Sequence, residues 1–382
     1  MVCDDNMSSI YVHIPFCLVK CRYCGFNSQP SRAGDGTAEY CRALIKEISR
    51  RDPGPGKPET VYFGGGTPSL LTAGQLSEIQ CQLSQRYGGF ASDCEVTIEA
   101  NPGTADREKL CALRNAGFNR LSLGAQSFND SLLKTMGRAH QAAQIKRAVD
   151  DARGSGFDNL GLDLIYALPG QRFEMWREDL RRAVDLGPEH ISLYSLTYEE
   201  GTDFFRAKEQ GRIAPCDESL EAEMYLWAIE EMIQRGYEHY EVSNFALPGR
   251  RSRHNLNYWM AGDYSGYGAG AHSHRGSRRW SNLRDSERYV AAMKEGDDPT
   301  EMEEILSPEQ QQFEALFLGM RMTEGIDVSS FRERWGQEPR RGREGLWARW
   351  QTEGLVEPGA EKMRFTRQGL MLSDLLLAEL AP

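Results

Sequence analysis

Residues 60–86 read TVYFGGGTPSLLTAGQLSEIQCQLSQR. A short β-rich run, Thr60–Phe63, ends in three glycines, and Ala73–Arg86 then repeats apolar residues at helical spacing. This is the outline of one strand, one turn and one crossover helix. The same outline recurs on both sides. β-rich runs lie at Ser9–Ile14, Glu95–Glu99, Arg120–Leu123, Leu160–Ile165 and His190–Leu196, and helical periodicity returns at Tyr40–Ser49 and Arg107–Ala116. Such alternation predicts an α/β fold of parallel strands joined by helices. Six units within about 200 residues predict a partial or full βα (TIM-like) barrel rather than a small open sheet. Barrels of this kind collect their chemistry at the C-terminal ends of the strands.

Those ends are rich in polar residues and glycine. GGGTP (64–68), EANPGT (99–104), GAQSF (124–128), DLIYALPG (163–170) and SLTYEEGT (195–202) each follow a predicted strand. A weaker seventh candidate is EHYEVSNFA (238–246). Past residue 300 or so the pattern changes. A capped helix with the stripe Phe313, Leu316, Phe317 and Met320 leads to a second helical run at Val328–Trp335, then helix, short β pair and final helix. That order predicts a small winged-helix-like α+β module over residues 296–382, behind a barrel with its extension over 1–295. The module is expected to cap the barrel mouth, with binding of a partner as the alternative.

Composition narrows the function. The formal net charge of −11 argues against a nucleic-acid partner, which needs a basic footprint. No apolar run approaches the ~20 residues of a membrane span, and the N-terminal stretch lacks a signal-peptide layout; a cytoplasmic location is expected. Arg250, Arg251 and Arg253 form one local basic cluster and Arg275, Arg278 and Arg279 another, each a solvated face or a seat for a carboxylate-bearing ligand.

The nine cysteines are an odd number without disulfide spacing. Cys41 and Cys111 lie on apolar helical stripes and read as small buried hydrophobes, while Cys3, Cys81, Cys94 and Cys216 carry no pattern. Cys17, Cys21 and Cys24 stand apart, packed into the segment after the first strand. Three thiolates can hold zinc with a distant fourth ligand. They can also hold a four-iron cluster with one iron left open, where most protein clusters use four cysteines. S-adenosylmethionine can bind such an iron through its amino and carboxylate groups, and an electron from the cluster then cleaves its sulfonium bond. Gly64–Gly66 allow close backbone approach. Glu99, Gln126, Arg138 and Asp163, at or near strand ends, offer polar groups for the same molecule.

YVHIPFCLVKCRYCGFN (11–27), YFGGGTPSLL (62–71), IEANPGT (98–104), RLSLGAQSF (120–128) and LDLIYALPGQ (162–171) resemble the radical SAM proteins related to oxygen-independent coproporphyrinogen III dehydrogenase. The resemblance runs from about residue 9 through the C-terminal module. The family has a dehydrogenase branch, which converts propionates to vinyls and carries a further cysteine two positions after the third; that position here is Phe26. It also has the HemW branch of heme chaperones, which CGFNS (24–28), the HNxxYW-type string HNLNYW (254–259) and GDYSGYGAGAHS (262–273) resemble more closely.

The resemblance implies a 4Fe–4S cluster on Cys17, Cys21 and Cys24. It implies S-adenosylmethionine held by Tyr11, Gly65, Gly66, Thr67, Glu99, Gln126, Arg138, Asp163 and Thr197. It also implies heme as cargo, a heme-acceptor protein and a reductant for the cluster. Because heme iron is commonly held by an imidazole, His254 is the expected heme residue, with Tyr258 and Trp259 stacking and Arg251 and Arg253 pairing with propionates. A loop-fixing role for His254 is the alternative. His272 and His274 are second choices for heme, and His13 is expected to be structural beneath the cysteine loop.

Overall fold

The computed structural model describes residues 8–31 and 36–380. Six parallel strands form its centre: β1 (Ser8–Ile14), β2 (Pro58–Gly65), β3 (Glu95–Ala100), β4 (Arg120–Gln126), β5 (Leu160–Tyr166) and β6 (His190–Ser195). They lie side by side in chain order, with helices such as Thr37–Arg50, Ala73–Arg86 and Phe173–Asp185 returning the chain over one face. Period-two alternation explains how one strand serves two environments. On β2, Val61 and Phe63 are fully buried under the helices, while Tyr62 and Gly64 face the barrel interior. The helices are stopped and started by ordinary means: Thr72 caps Ala73–Arg86 through a reciprocal capping box with Gln75, and Asp106 caps Arg107–Asn115.

The sheet does not close. Beyond β6 lie two short strands, β7 (Glu238–His239) and β8 (Asn244–Ala246), and β8 runs antiparallel to β6. The seventh candidate unit is therefore not a further βα repeat. Its two apolar pieces are too short for a crossover and fold back as an edge. Beyond β1 lies β9 (Tyr264–Tyr267), parallel to it, followed by the antiparallel strands β10 (His272–Arg275), β11 (Arg278–Asn282) and β12 (Thr300–Ile305). The result is one twelve-stranded sheet, β12-β11-β10-β9-β1-β2-β3-β4-β5-β6-β8-β7, whose middle is a partial barrel.

Residues 308–380 build a second core. Helices Pro308–Gly319, Val328–Trp335 and Glu344–Thr352 surround Trp347, Trp350, Phe331, Leu316 and Phe365, with Ile326–Asp327 paired antiparallel to Lys362–Met363. The structural boundary lies later than residue 296, because β12 pairs with β11 and belongs to the large sheet. This module packs against the segment 239–261. Val242 donates to the Arg321 carbonyl at 3.1 Å, Arg251 pairs with Glu324 at 2.7 Å and Arg334 reaches the Met260 carbonyl at 3.3 Å.

Candidate functional site

The cysteine loop leaves β1 at Pro15 and is fastened at several points. Phe16–Cys17 pairs with Gln29–Pro30, Arg22 N donates to Met136 O at 3.0 Å, and Phe204 N donates to Arg22 O at 2.9 Å. The Asn27 amide donates to the carbonyls of Ala269 and Arg284, and the Asn27 carbonyl lies 2.8 Å from His13 Nε2. His13 is thus a support beneath the loop. Cys17, Cys21 and Cys24 are half-buried, form no disulfide, and face one cavity of about 340 Å³. Burial raises the thiol pKa of Cys17 and of Cys24.

The cavity floor is the glycine turn that ends β2. Gly65 has φ 109°, and a Cβ there would lie 2.5 Å from the His13 ring. A Cβ on Gly66 would lie 2.6 Å from the Phe16 carbonyl oxygen, so the turn and the cysteine loop are in backbone contact. Gly66 N and Thr67 N donate to the carbonyls of Ile14 and Phe16 at 2.8 and 2.7 Å. Thr67 Oγ1 lies 3.6 Å from Cys17 Sγ and accepts from the Asn101 amide at 2.8 Å.

The polar wall comes from the next strand ends. Glu99 accepts from Tyr62 OH at 2.7 Å and from Gly65 N at 3.2 Å; its complete burial pushes its pKa up to about 7. Asp163, also raised by burial, accepts from Ser122 Oγ at 3.1 Å. Gln126 sits at a bulge between β4 and β5 with φ 66°, the kind of irregularity that re-aims a side chain. Arg138 donates to Cys21 Sγ at 3.4 Å, to the Gly124 carbonyl at 2.6 Å and to Asn101 Oδ1. Thr197 follows β6 and lines the same cavity.

Of the twelve residues that the resemblance assigned to cluster and cofactor, the structure brings eleven to this cavity: Cys17, Cys21, Cys24, Gly65, Gly66, Thr67, Glu99, Gln126, Arg138, Asp163 and Thr197. Tyr11 is not in its lining. Its hydroxyl bonds His13 Nδ1 at 3.0 Å, and its ring stacks on Tyr62 one layer down. Asn101, Ser122, Tyr62 and Tyr194 were not singled out from sequence. The inward-facing positions of β2, β4 and β6 were the available signal for the last three.

The basic clusters and the HNLNYW segment behave differently from expectation. His254 is 1% exposed and lies at the opposite end of the barrel, where its ring nitrogens meet Thr60 Oγ1 at 2.8 Å and Tyr258 OH at 2.9 Å. Both nitrogens are engaged and the ring stacks on Tyr62 at 4.9 Å, so the assignment of His254 to heme is corrected: it plugs the barrel floor. Arg251 is held by Glu238 and Glu324, and Arg253 by Glu59 and Asp93. Arg275, Arg278 and Arg279 likewise pair with Asp52, Glu303, Glu304 and Glu314. These guanidiniums are internal ion pairs and not seats for propionates. None of the described residues of the C-terminal module lines the cavity, which does not support the expected cap over this mouth.

Among the described residues no three His, Cys, Asp or Glu side chains converge tightly enough to ligate one metal ion. Three thiols facing one cavity of this size fit a polynuclear cluster. The carboxylates, amide and guanidinium beside them fit a zwitterionic cofactor.

Residues 11–183 match the radical SAM superfamily, and residues 306–372 match the HemN C-terminal domain. Over 379 residues the chain is 36% identical to the heme chaperone HemW of Bacillus subtilis, covering 96% of this chain and 97% of that one. The chain belongs to the HemW family. It is 39% identical to HemW of Lactococcus lactis, covering 85% of this chain and 84% of that one. In fold this HemW-family chain is similar to coproporphyrinogen III oxidase (HemN) from Escherichia coli, a radical SAM enzyme, with a TM-score of 0.85, 25% identity, and coverage of 98% and 89%. The expected barrel class and C-terminal module are those of this HemW-family structure. Radical SAM membership implies a 4Fe–4S cluster and S-adenosylmethionine. No helix among the described residues is long and apolar enough to cross a membrane.

Proposed function

We propose that this chain is a heme chaperone that binds heme and passes it to an acceptor protein in the cytoplasm. In this reading Cys17, Cys21 and Cys24 ligate a 4Fe–4S cluster, and S-adenosylmethionine occupies the open iron. The observation that carries the reading is the convergence of those thiols with Gly65–Thr67, Glu99, Gln126, Arg138 and Asp163 on one cavity, in a chain whose full-length relatives are named heme chaperones.

When bound and reduced, the cluster supplies an electron that can cleave the sulfonium bond. The protein's own residues prepare the site. Arg138 and Thr67 direct donors at thiol sulfurs, which offsets the negative charge of a thiolate-bound cluster. Glu99, anchored by Tyr62 and Gly65, offers acceptor capacity to an ammonium, and Asp163, anchored by Ser122, offers it to hydroxyls. An external reductant is required.

A second reading, coproporphyrinogen III dehydrogenase, is favoured by the fold match to HemN. Phe26 opposes it: an exposed aromatic ring on the cavity rim stands where that branch carries a cysteine. Incubating the anaerobically reconstituted, reduced protein with S-adenosylmethionine and coproporphyrinogen III separates the two. Heme binding without porphyrinogen turnover supports the chaperone, whereas protoporphyrinogen with released CO2 supports the dehydrogenase.

A further inference from the structure

Heme iron is commonly held by an imidazole, so the accessible histidines are the first candidates. All seven histidines lie within the described residues. His13, His140, His190 and His254 are buried. His239 stacks on Phe245 at 4.4 Å, and His274 faces Asp263 at 3.7 Å. His272 alone is exposed.

Its surroundings are specific. His272 on β10 is the register partner of Ser281 on β11, and Ser281 is the partner of Met302 on β12. Cross-strand partners project from the same face. His272 and Met302 therefore rise on either side of a serine, about 10 Å apart at two strand spacings. Met302 is 45% exposed, unusual for a thioether on a sheet face. Arg284, just beyond β11, is exposed; its backbone N–H donates to Glu301 Oε2 at 3.3 Å, but its guanidinium, unlike those of Arg278 and Arg279, pairs with no carboxylate among the described residues. Partial burial, and after it the charges of Arg279 and Arg284, lower the pKa of His272, which favours the neutral imidazole that can ligate a metal. The Asn27 side chain of the cysteine loop donates to the Arg284 carbonyl, so the segment that follows β11 abuts that loop.

We infer that heme docks on this face, with His272 as an axial ligand, Met302 against the opposite side of the iron and Arg284 pairing with a propionate. The inference rests on the heme-chaperone reading and gives it a location. Histidine–methionine ligation is an established way to hold heme iron, and the residue between the two is the small, buried Ser281.

The test is a hemin titration of the full-length chain, followed by absorption spectroscopy, for the wild type and for His272→Ala, Met302→Leu and Arg284→Gln. His272 and Met302 are exposed, so these variants are expected to fold, which far-ultraviolet circular dichroism checks. The wild type is expected to bind one heme with a low-spin spectrum. His272→Ala should bind at least tenfold more weakly and lose that spectrum, with added imidazole restoring it. Met302→Leu should change the spectrum with a smaller loss of affinity, and Arg284→Gln should weaken binding several-fold. Unchanged binding and spectrum in His272→Ala overturns the location while leaving the chaperone reading standing. Failure of the wild type to bind heme overturns the reading itself.

Discussion

The Nη1 of Arg138 donates to the sulfur of Cys21 at 3.4 Å, across 117 positions of sequence. The same guanidinium is locked by the Gly124 carbonyl and the Asn101 side chain. It is therefore fixed before any cluster forms and presents positive charge to the sulfur side of the cavity. Replacing Arg138 with Leu should weaken S-adenosylmethionine binding about tenfold, the scale of one lost charge-assisted hydrogen bond. It should also shift the cluster potential to more negative values. Isothermal titration and anaerobic redox titration read the two effects.

Replacing Cys17, Cys21 or Cys24 singly with Ala should abolish most iron and sulfide incorporation. Cys81→Ala, on an exposed helical position, should incorporate both like the wild type. Iron and sulfide assays on anaerobically reconstituted protein check this. Retention of full iron by all three single variants would remove these thiols from the cluster.

Gly66→Ala pushes a methyl to 2.6 Å from the Phe16 carbonyl oxygen, which cannot move without moving the cysteine loop. A loss of about 1–3 kcal/mol of stability is expected, with poorer cluster assembly. Gly74→Ala is the control, because its new methyl meets nothing nearer than 3.9 Å in a helix. Thermal melting of both variants gives the comparison.

The raised pKa of Glu99 has a pH signature. Near its value of about 7 the carboxyl is part protonated, and the ordinary value of 4.5 puts the unfolded chain lower. Between those values the folded state binds more protons, so Glu99 contributes stability that declines as pH rises from 4.5 to 7. A cationic ligand beside it favours the ionised form. S-adenosylmethionine affinity should therefore rise with pH through 7, and Glu99→Gln should flatten that rise. An identical pH slope in the variant would take Glu99 out of ligand contact.

His254 behaves oppositely. Burial holds its pKa down to about 3, against 6.5 in the unfolded chain. The unfolded state takes up a proton that the folded state refuses, so stability from this residue is lost as pH falls below 6.5. His254→Ala leaves the hydroxyls of Thr60 and Tyr258 without their shared partner and opens a cavity, at a cost of about 2–4 kcal/mol. Hemin binding should be unchanged. Chemical denaturation at pH 5 and 7 and the hemin titration test both halves.

Much of this was legible in the sequence because local patterns report local geometry. The helix Ala73–Arg86 follows from its own spacing, and the cysteine loop and glycine turn declare themselves as strings. The role of HNLNYW did not follow. Its histidine is polar and its aromatics are suited to stacking, yet the segment packs beneath β1 and β2, with Glu95 receiving the backbone N–H of His254. That contact joins residues 159 apart and has no local signal. The β9–β12 extension was also hidden. Its strands are short and mostly polar, and they exist because β9 finds the free edge of β1. The arginine clusters looked available for the same reason: their carboxylate partners are distant in sequence.

The central claim is that the protein with this cysteine-lined cavity serves heme delivery and not porphyrinogen decarboxylation. The most direct measurement is the anaerobic incubation of reconstituted, reduced protein with S-adenosylmethionine and coproporphyrinogen III, with products resolved by mass and hemin titrated in parallel. The account predicts one heme bound per chain and no change in the porphyrinogen. Protoporphyrinogen accompanied by CO2, with no heme bound, would contradict it.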